Sequence, residues 1–158
     1  MSLPALKKVR RISVGKKADY FMGTDFTYSD MGDREVDDYT YKHLGTDMID
    51  GIETYHLELL PKSKDVIKKT GYGRGEVWVR PDIWIAVKAR YYNNKLRFLK
   101  ELTVSDIEQI DGIWTAKTMT MVNAQKKHTT IFRLSNIKYN IGLDNEIFSQ
   151  RRLKKGIQ

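Results

Sequence analysis

The chain has 158 residues, the size of one domain, and leaves little room for a second hydrophobic core. With 41% hydrophobic and 30% charged residues, its composition excludes extended disorder. An excess of 28 Lys and Arg over 20 Asp and Glu gives a net charge of +8, which favours acidic surfaces such as nucleic acid or anionic lipid. The absence of cysteine excludes disulfides, thiol catalysis and cysteine-ligated zinc. The longest apolar runs are too short to cross a bilayer.

The opening residues predict that the chain begins inside a longer protein. Met1-Ser2 is followed at once by the interior-like sequence Leu3-Pro4-Ala5-Leu6. The lack of a recognisable signal peptide therefore says little about where the protein resides.

Short alternating segments separated by turn pairs predict antiparallel strands joined by hairpins. Asp50-Gly51 and Asp111-Gly112 each lie between β-branched residues and suit two-residue type I′ turns. Asn93-Asn94 and Pro81-Asp82 predict two further turns. The predicted strands cover 5–13, 38–48, 52–60, 74–80, 84–92, 96–108, 113–123 and 128–139.

Helical pattern is scarce. Residues 24–31 predict one short helix and residues 144–153 a final turn or two capped by Asp144. The lysine-rich stretch 61–72 reads as a hydrophilic, mobile connection. Strands at 84–92 and 113–122 are apolar on both faces at one end, which requires cover on both sides. The sequence thus predicts a mainly β protein, a curved antiparallel sheet holding a pocket.

The titratable residues do not form a recognisable reactive site. Pairing of the strands about Asp50-Gly51 is expected to set His43 opposite Glu58 and His56 opposite Gly45, so the histidines do not meet. The acidic stretch around Gly32 lacks calcium-loop spacing and is interpreted as a solvated loop with capping carboxylates. Its members are Asp30, Asp33, Glu35, Asp37 and Asp38. We expect no metal and no cofactor.

Two other motifs are also interpreted structurally. The glycines of Gly71-Tyr72-Gly73-Arg74-Gly75 lack the following Lys-Ser/Thr and helix of a phosphate cradle, and a flexible loop is the favoured interpretation. No nucleophile elbow is present, so we do not expect an enzyme. The basic clusters flank the aromatic residues instead of interleaving with them, which disfavours nucleic-acid binding.

The segment from Phe21 to Met31 is unusually apolar between charged neighbours. One interpretation is a helix that plugs one end of the sheet. The other is a lid over a pocket for an apolar ligand, with Met119 and Met121 as adaptable lining.

Six motifs in chain order resemble those of the LolA-like outer-membrane lipoprotein-sorting family. The resemblance covers nearly the whole chain. Family members also carry a signal peptide, a first helix and several strands before the segment that starts at Leu3, and this sequence is expected to lack them. The motifs are Leu3-Pro-Ala-Leu-Lys-Lys-Val-Arg-Arg-Ile-Ser13, Phe21-Met-Gly-Thr-Asp-Phe-Thr-Tyr-Ser-Asp30, Asp38-Tyr-Thr-Tyr-Lys42, Val77-Trp-Val79, Ser135-Asn-Ile-Lys-Tyr-Asn140 and Phe148-Ser-Gln-Arg-Arg-Leu153.

The resemblance implies a single LolA-like domain over residues 1–158, an open antiparallel half-barrel with an apolar cavity closed by helices. It also implies a non-enzymatic periplasmic carrier that shields the acyl chains of lipoproteins or related lipids in a Gram-negative envelope. Burying a methylene group gains about 0.8 kcal/mol, so a carrier must offer an apolar site to compete with a membrane.

Aromaticity and strand parity select the residues expected to line the cavity: Phe21, Met22, Phe26, Tyr28, Trp78, Trp84, Met119, Met121 and Phe132. The alternative function is an interaction module that docks on a membrane transporter or another envelope protein. Its expected basic docking surface consists of Lys7, Lys8, Arg10, Arg11, Arg151 and Arg152. An unpaired sheet edge near residues 7–13 predicts a homodimer.

Overall fold

The fold is an open antiparallel sheet. The computed structural model describes residues 2–3, 8–9 and 17–155, with side chains over residues 17–152. In these residues seven strands form one sheet in sequence order, so its two edge strands are the first and the last. The seven are β3 (Tyr39–Ile49), β4 (Ile52–Pro61), β5 (Tyr72–Arg80), β6 (Ile85–Asn93), β7 (Phe98–Ile110), β8 (Ile113–Asn123) and β9 (His128–Arg133). Before them, β1 (Ser2–Leu3) pairs with β2 (Lys8–Val9).

The two Asp-Gly pairs form the predicted hairpin tips. Asp50 and Gly51 have φ of 51° and 77°, and Asp111 and Gly112 have φ of 50° and 80°. Positive φ at both central residues is the requirement of a type I′ turn, which matches the right-handed twist of the flanking strands. The mainly β fold predicted from the sequence is confirmed.

The register of the strands separates two faces of the sheet. Across β5 to β8, one row of neighbours consists of Val77, Ala89, Leu102 and Met121. Three of these are buried, and their side of the sheet, here called the inner face, holds the hydrophobic core. The adjacent row places Glu76, Arg90, Glu101 and Val122 on the opposite side, here called the outer face.

The predicted helix at residues 24–31 is wrong. Residues 17–31, here called the plug segment, form turns and one isolated bridge between Tyr20 and Thr27. Short polar side chains bond to the local backbone instead: the Thr24 hydroxyl donates to the Phe21 carbonyl, and the Thr27 N–H donates to the Asp30 carboxylate. Such bonds compete with helical ones.

The predicted mobile connection at residues 61–72 contains a helix, α1 (Lys64–Thr70). Ser63 accepts a hydrogen bond from the Val66 N–H at its start, and Gly71 ends it with a φ of 85°. Both are ordinary capping devices. Val66 is buried in the core, so the helix is anchored to the sheet.

The remaining boundaries differ at the two ends of the chain. The strand predicted at 128–139 stops at Arg133. The predicted turns near the C-terminus are present as a 3-10 helix, Asn145–Phe148, followed by α2 (Gln150–Lys155), with the Asp144 side chain as cap. Most of the strand predicted at 5–13, and with it the predicted dimer edge, lies outside the described residues.

The pairing of β3 with β4 shifts by one residue between His43 and Gly45. His56 therefore lies opposite Gly45 as predicted, but His43 lies opposite Leu57, and the prediction that it faces Glu58 is wrong. A β-bulge accounts for the shift, because it adds one residue to a single strand.

Candidate functional site

The plug segment covers one end of the inner face with aromatic side chains. Phe26 is 2% exposed and stacks on Phe132 of β9 with ring centroids 4.5 Å apart. Phe21 packs edge-on against Tyr28 at 5.4 Å and against Phe132 at 6.4 Å. Such aromatic pairs add to the stabilisation from their buried area. Met119 lies beside Phe132 in the register of β8 and β9.

A buried ion pair holds the C-terminal half of the plug segment. Lys100 of β7 is fully buried, and its Nζ donates to Asp30 Oδ2 at 2.6 Å and to the Asp25 carbonyl at 2.8 Å. The Tyr72 hydroxyl donates to Asp30 Oδ1 at 2.7 Å. Buried charges are tolerated only when paired and hydrogen-bonded, and this arrangement meets both conditions.

Aromatic rings surround the Lys100 ammonium. Its Nζ lies 5.3 to 5.8 Å from the ring centroids of Tyr20, Tyr72 and Tyr91. Burial lowers the pKa of Lys100 from its ordinary value, while the charge of Asp30 opposes that shift. Burial, reinforced by Asp30, raises the pKa of Tyr91 to about 12.

A second carboxylate fixes the centre of the plug segment to β9. Asp25 Oδ2 accepts a hydrogen bond from the Thr130 hydroxyl at 2.7 Å and lies 2.6 Å from His128 Nδ1. In return, the Asp25 N–H donates to the Thr130 hydroxyl at 3.0 Å. The Asp25 side chain is 2% exposed. These bonds join residues more than 100 positions apart and close the plug segment over the sheet.

Six of the nine residues predicted to line a cavity come together beside or under the plug segment. They are Phe21, Phe26, Tyr28, Met119, Met121 and Phe132. Met121 is fully buried and Phe26 nearly so, whereas the other four remain partly exposed.

The other three residues do not join this group. Trp78 lies on the outer face, stacked on His56 with ring centroids 4.2 Å apart and donating from Nε1 to Asp47. Trp84 is 74% exposed in the turn after β5, and Met22 is 58% exposed on the plug segment.

The predicted basic docking surface is described only in part. Arg151 and Arg152 are exposed on α2, and α2 lies beside β2, the strand that contains Lys8. Lys7, Arg10 and Arg11 lie outside the described residues, as does the Lys8 side chain.

Next to the plug segment, the described residues enclose a small cavity with charged side chains in its lining. A cavity of ≈ 60 Å³ lies between the plug segment and α1, and its lining includes Asp30, Arg34 and Lys69. A more open groove of ≈ 440 Å³ lies on the outer face between Arg90, Tyr92 and Phe98. The described residues contain no cluster of three His, Asp or Glu side chains that could hold a metal ion.

Sequence reasoning missed the two polar anchors, Lys100 with Asp30 and Asp25 with His128. The interpretation of the acidic stretch as solvated is wrong for Asp30, whose side chain is 5% exposed. A signal was present in β7, where Lys100 shares strand parity with the apolar Leu102 and Val104. A lysine on an apolar face indicates a buried partner, although it does not say which carboxylate supplies it.

The fold of the described residues, an open antiparallel sheet with a turn-rich plug over its inner face, is that of a LolA-like domain, because solved structures of such domains share it. A family model described as "Uncharacterized protein" matches residues 1–155, and the chain belongs to that family. The resemblance to LolA-like lipoprotein-sorting domains is confirmed by solved structures. None of the curated proteins matches the chain.

Two solved structures share more than a third of their aligned residues with this chain. A domain from Vibrio parahaemolyticus, described as an outer membrane lipoprotein-sorting domain, has 34% identity and a TM-score of 0.86 over 97% of this chain and 64% of its own. A DUF1329 family protein from Desulfovibrio piger has 38% identity and a TM-score of 0.87 over 96% of this chain and 62% of its own.

A more distant structure shares the fold. A LolA superfamily protein from Nitrosomonas europaea has 20% identity and a TM-score of 0.68, over 95% of this chain and 65% of its own. The chain thus spans somewhat less than two thirds of the length of these proteins. No helix in the described residues is long and apolar enough to cross a membrane.

Proposed function

We propose that this domain is a non-enzymatic carrier or binding domain for acyl chains of lipoproteins or related lipids in the periplasm of a Gram-negative cell. The observation that carries the proposal is the partly exposed apolar wall that the plug segment forms with the sheet. Phe21, Tyr28, Met119 and Phe132 make up this wall and, although close together, are not fully buried.

An acyl chain laid along this wall gains burial without a reorganisation of the core. Full burial of a methylene is worth about 0.8 kcal/mol, so the gain from the wall increases with the number of methylenes that it covers. The similarity of this fold to that of the Vibrio parahaemolyticus domain, which is described as an outer membrane lipoprotein-sorting domain, supports the choice of an acyl chain as the ligand. Phe26 and Met121 support the wall from behind, and Trp78, on the outer face, does not contribute to it.

Lipid extraction and native mass spectrometry of the purified 158-residue protein test the proposal. We expect co-purifying acyl species and saturable binding of a fluorescent fatty acid. Met119→Gln on the inner face should weaken that binding several-fold. Ile131→Gln is the matched control, because Ile131 lies on the outer face and is 44% exposed. Absence of bound lipid together with unsaturable probe binding would exclude the carrier function.

The alternative, docking on an envelope protein, is favoured by one observation. The exposed Arg151 and Arg152 lie on α2, which is next to β2, the strand that contains Lys8. If this is the main function, the purified protein should carry no acyl species. Reversal of both charges, R151E with R152E, should then abolish binding to an acidic partner.

A further inference from the structure

The two ends of the sheet carry opposite charge. Because the seven strands are antiparallel and follow sequence order, every second connection lies at the same end. The connections β4–β5, β6–β7 and β8–β9, residues 62–71, 94–97 and 124–127, contain eight cations and one carboxylate. The connections at the opposite end, residues 50–51, 81–84 and 111–112, contain three aspartates and no cation. The first of these ends is here called the basic end.

Most cations of the basic end are exposed and unpaired. Lys69 is half-buried and bonds Asp38 at 3.2 Å. The other seven are exposed and have no ion-pair partner in the described residues: Lys62, Lys64, Lys68, Lys95, Arg97, Lys126 and Lys127. Cations held close together repel each other, so an anionic surface that neutralises them binds favourably.

Two of these connections form one surface on the β9 side of the sheet, at the greatest distance from β3. The Gln125 side chain donates to the Phe98 carbonyl at 3.2 Å and so joins the β8–β9 connection to the β6–β7 connection. The cations of these adjacent turns are Lys95, Arg97, Lys126 and Lys127. Four positive charges are therefore presented together.

An exposed apolar residue lies between two of these cations. Leu96, between Lys95 and Arg97, is 60% exposed and has a φ of 58°. Positive φ is uncommon for a bulky residue, because its Cβ crowds the backbone. Cations beside an exposed leucine suit the interface of an anionic bilayer, where headgroups attract the charges and the acyl boundary takes up the apolar side chain. A nucleic acid would attract the charges but offers less to the leucine.

We propose that the basic end binds the surface of an anionic lipid bilayer, with the four cations at the phospholipid headgroups and Leu96 at the acyl boundary. The three aspartates of the opposite end then face away from the bilayer, which sets the orientation of the sheet. The plug segment also reaches the bound end, since Lys126 Nζ lies 3.4 Å from the ring centroid of Tyr20. This surface binding does not depend on the carrier function, because the apolar wall takes no part in it.

Co-sedimentation of the 158-residue protein with vesicles tests the proposal. Vesicles of phosphatidylcholine with about one third phosphatidylglycerol should bind the protein, and vesicles of phosphatidylcholine alone should bind it at least about tenfold more weakly. Binding to the anionic vesicles should weaken as salt rises from about 0.01 to about 0.15 M, because salt screens the charges.

A matched pair of double variants locates the surface. K95E with R97E should weaken binding to the anionic vesicles at least about tenfold, since each cation near such a surface contributes several-fold. Lys126 is left intact because it also contacts the plug segment. R133E with K138E makes the same change of net charge at exposed cations away from the basic end and should bind like the wild type. Circular dichroism checks that each variant is folded.

Leu96→Asn separates a bilayer from a soluble polyanion. Asparagine tolerates positive φ and leaves every charge in place, so the turn should keep its shape. Binding to the anionic vesicles should fall several-fold, while retention on a single-stranded oligonucleotide column should not change.

Three results would overturn the proposal: equal binding to neutral and anionic vesicles, equal binding of the two double variants, or an oligonucleotide bound more tightly than the vesicles with no effect of Leu96→Asn on either. Vesicle binding by a protein that carries no acyl species would support this proposal and contradict the carrier function, so the two can fail separately.

Discussion

Lys100 Nζ and Asp30 Oδ2 lie 2.6 Å apart, although the residues are separated by 70 positions in the chain. The side chains are 0% and 5% exposed. The pair joins the middle of the sheet to a segment without regular secondary structure. The plug segment is thus held by polar anchors as well as by aromatic packing, and the anchors specify where it sits.

Removal of one member of this pair should be costly. Lys100→Met leaves a buried carboxylate without its cation, and we expect it to lower the free energy of unfolding by about 3–5 kcal/mol. Asp30→Asn should have a similar effect. The double variant should cost less than the sum of the single ones, since neither charge is then stranded. Urea unfolding at pH 7 measures all three.

An exposed lysine provides the control for this cycle. Lys95→Met, in the turn between β6 and β7, should change stability by less than about 0.5 kcal/mol. Additive costs in the double variant would mean that the two residues stabilise the fold independently and would contradict the interpretation.

The Asp25 anchor should control how tightly the plug segment is closed. Asp25→Asn keeps one side-chain oxygen but removes the negative charge that Thr130 and His128 contact through Oδ2, and we expect a loss of about 2 kcal/mol. Chymotrypsin should then cleave faster at aromatic residues of the plug segment, because its local opening becomes easier. His128→Ala should have a smaller effect, since that ring is 60% exposed. Equal cleavage of Asp25→Asn and wild type would argue against Asp25 as an anchor.

Local chemistry and long-range packing account for what the sequence did and did not predict. The Asp-Gly turns depend on two residues, so they were predictable. Helix α1 was not predicted because its lysines resemble a solvated connection, although Ser63 and Gly71 at its two ends are typical helix caps. The partners of Lys100 could not be predicted, since nothing in β7 says which distant carboxylate folds onto it. No sequence pattern indicated the bulge in β3, so the residue opposite His43 could not be predicted.

The glycines of Gly71-Tyr72-Gly73-Arg74-Gly75 were predicted to form a flexible loop, and the structure instead places them at the end of α1 and within β5. A Cβ on Gly73 would lie 2.8 Å from the Asn93 carbonyl oxygen, closer than real Cβ atoms approach. Gly73→Ala should therefore cost about 1–3 kcal/mol in urea unfolding.

Gly75 provides a matched control on the same strand. Its nearest neighbour to an added Cβ is Leu59 Cβ at 3.7 Å, an ordinary contact. Gly75→Ala should be nearly neutral, within about 0.5 kcal/mol. If the two variants were equally stable, the close approach of β5 to the turn after β6 would not constrain Gly73.

Tyr91 should make the protein sensitive to alkaline pH. Its pKa is raised from 10.0 to about 12 by burial and by Asp30. Between those values the unfolded chain loses this proton before the folded protein does, so stability falls as pH rises, by up to about 1.4 kcal/mol per pH unit. The lowered pKa of Lys100 has the opposite effect on stability, but only below pH 10.5, where the folded protein releases the lysine proton before the unfolded chain does. Above pH 10.5 the fall in stability therefore comes from tyrosines, and Tyr72, whose pKa is also raised by burial and by Asp30, contributes to it together with Tyr91.

Tyr91→Phe should make the fall of stability above pH 10.5 less steep, because phenylalanine has no proton to lose and only the contribution of the other tyrosines, Tyr72 among them, remains. Tyr55→Phe, at an exposed tyrosine of β4, controls for the loss of a hydroxyl elsewhere and should follow the wild-type curve. Urea unfolding at half-unit pH steps gives the slopes. Identical slopes for Tyr91→Phe and wild type would mean that Tyr91 ionises as readily in the folded protein as in the unfolded chain. That result would contradict the burial of Tyr91, which is 6% exposed.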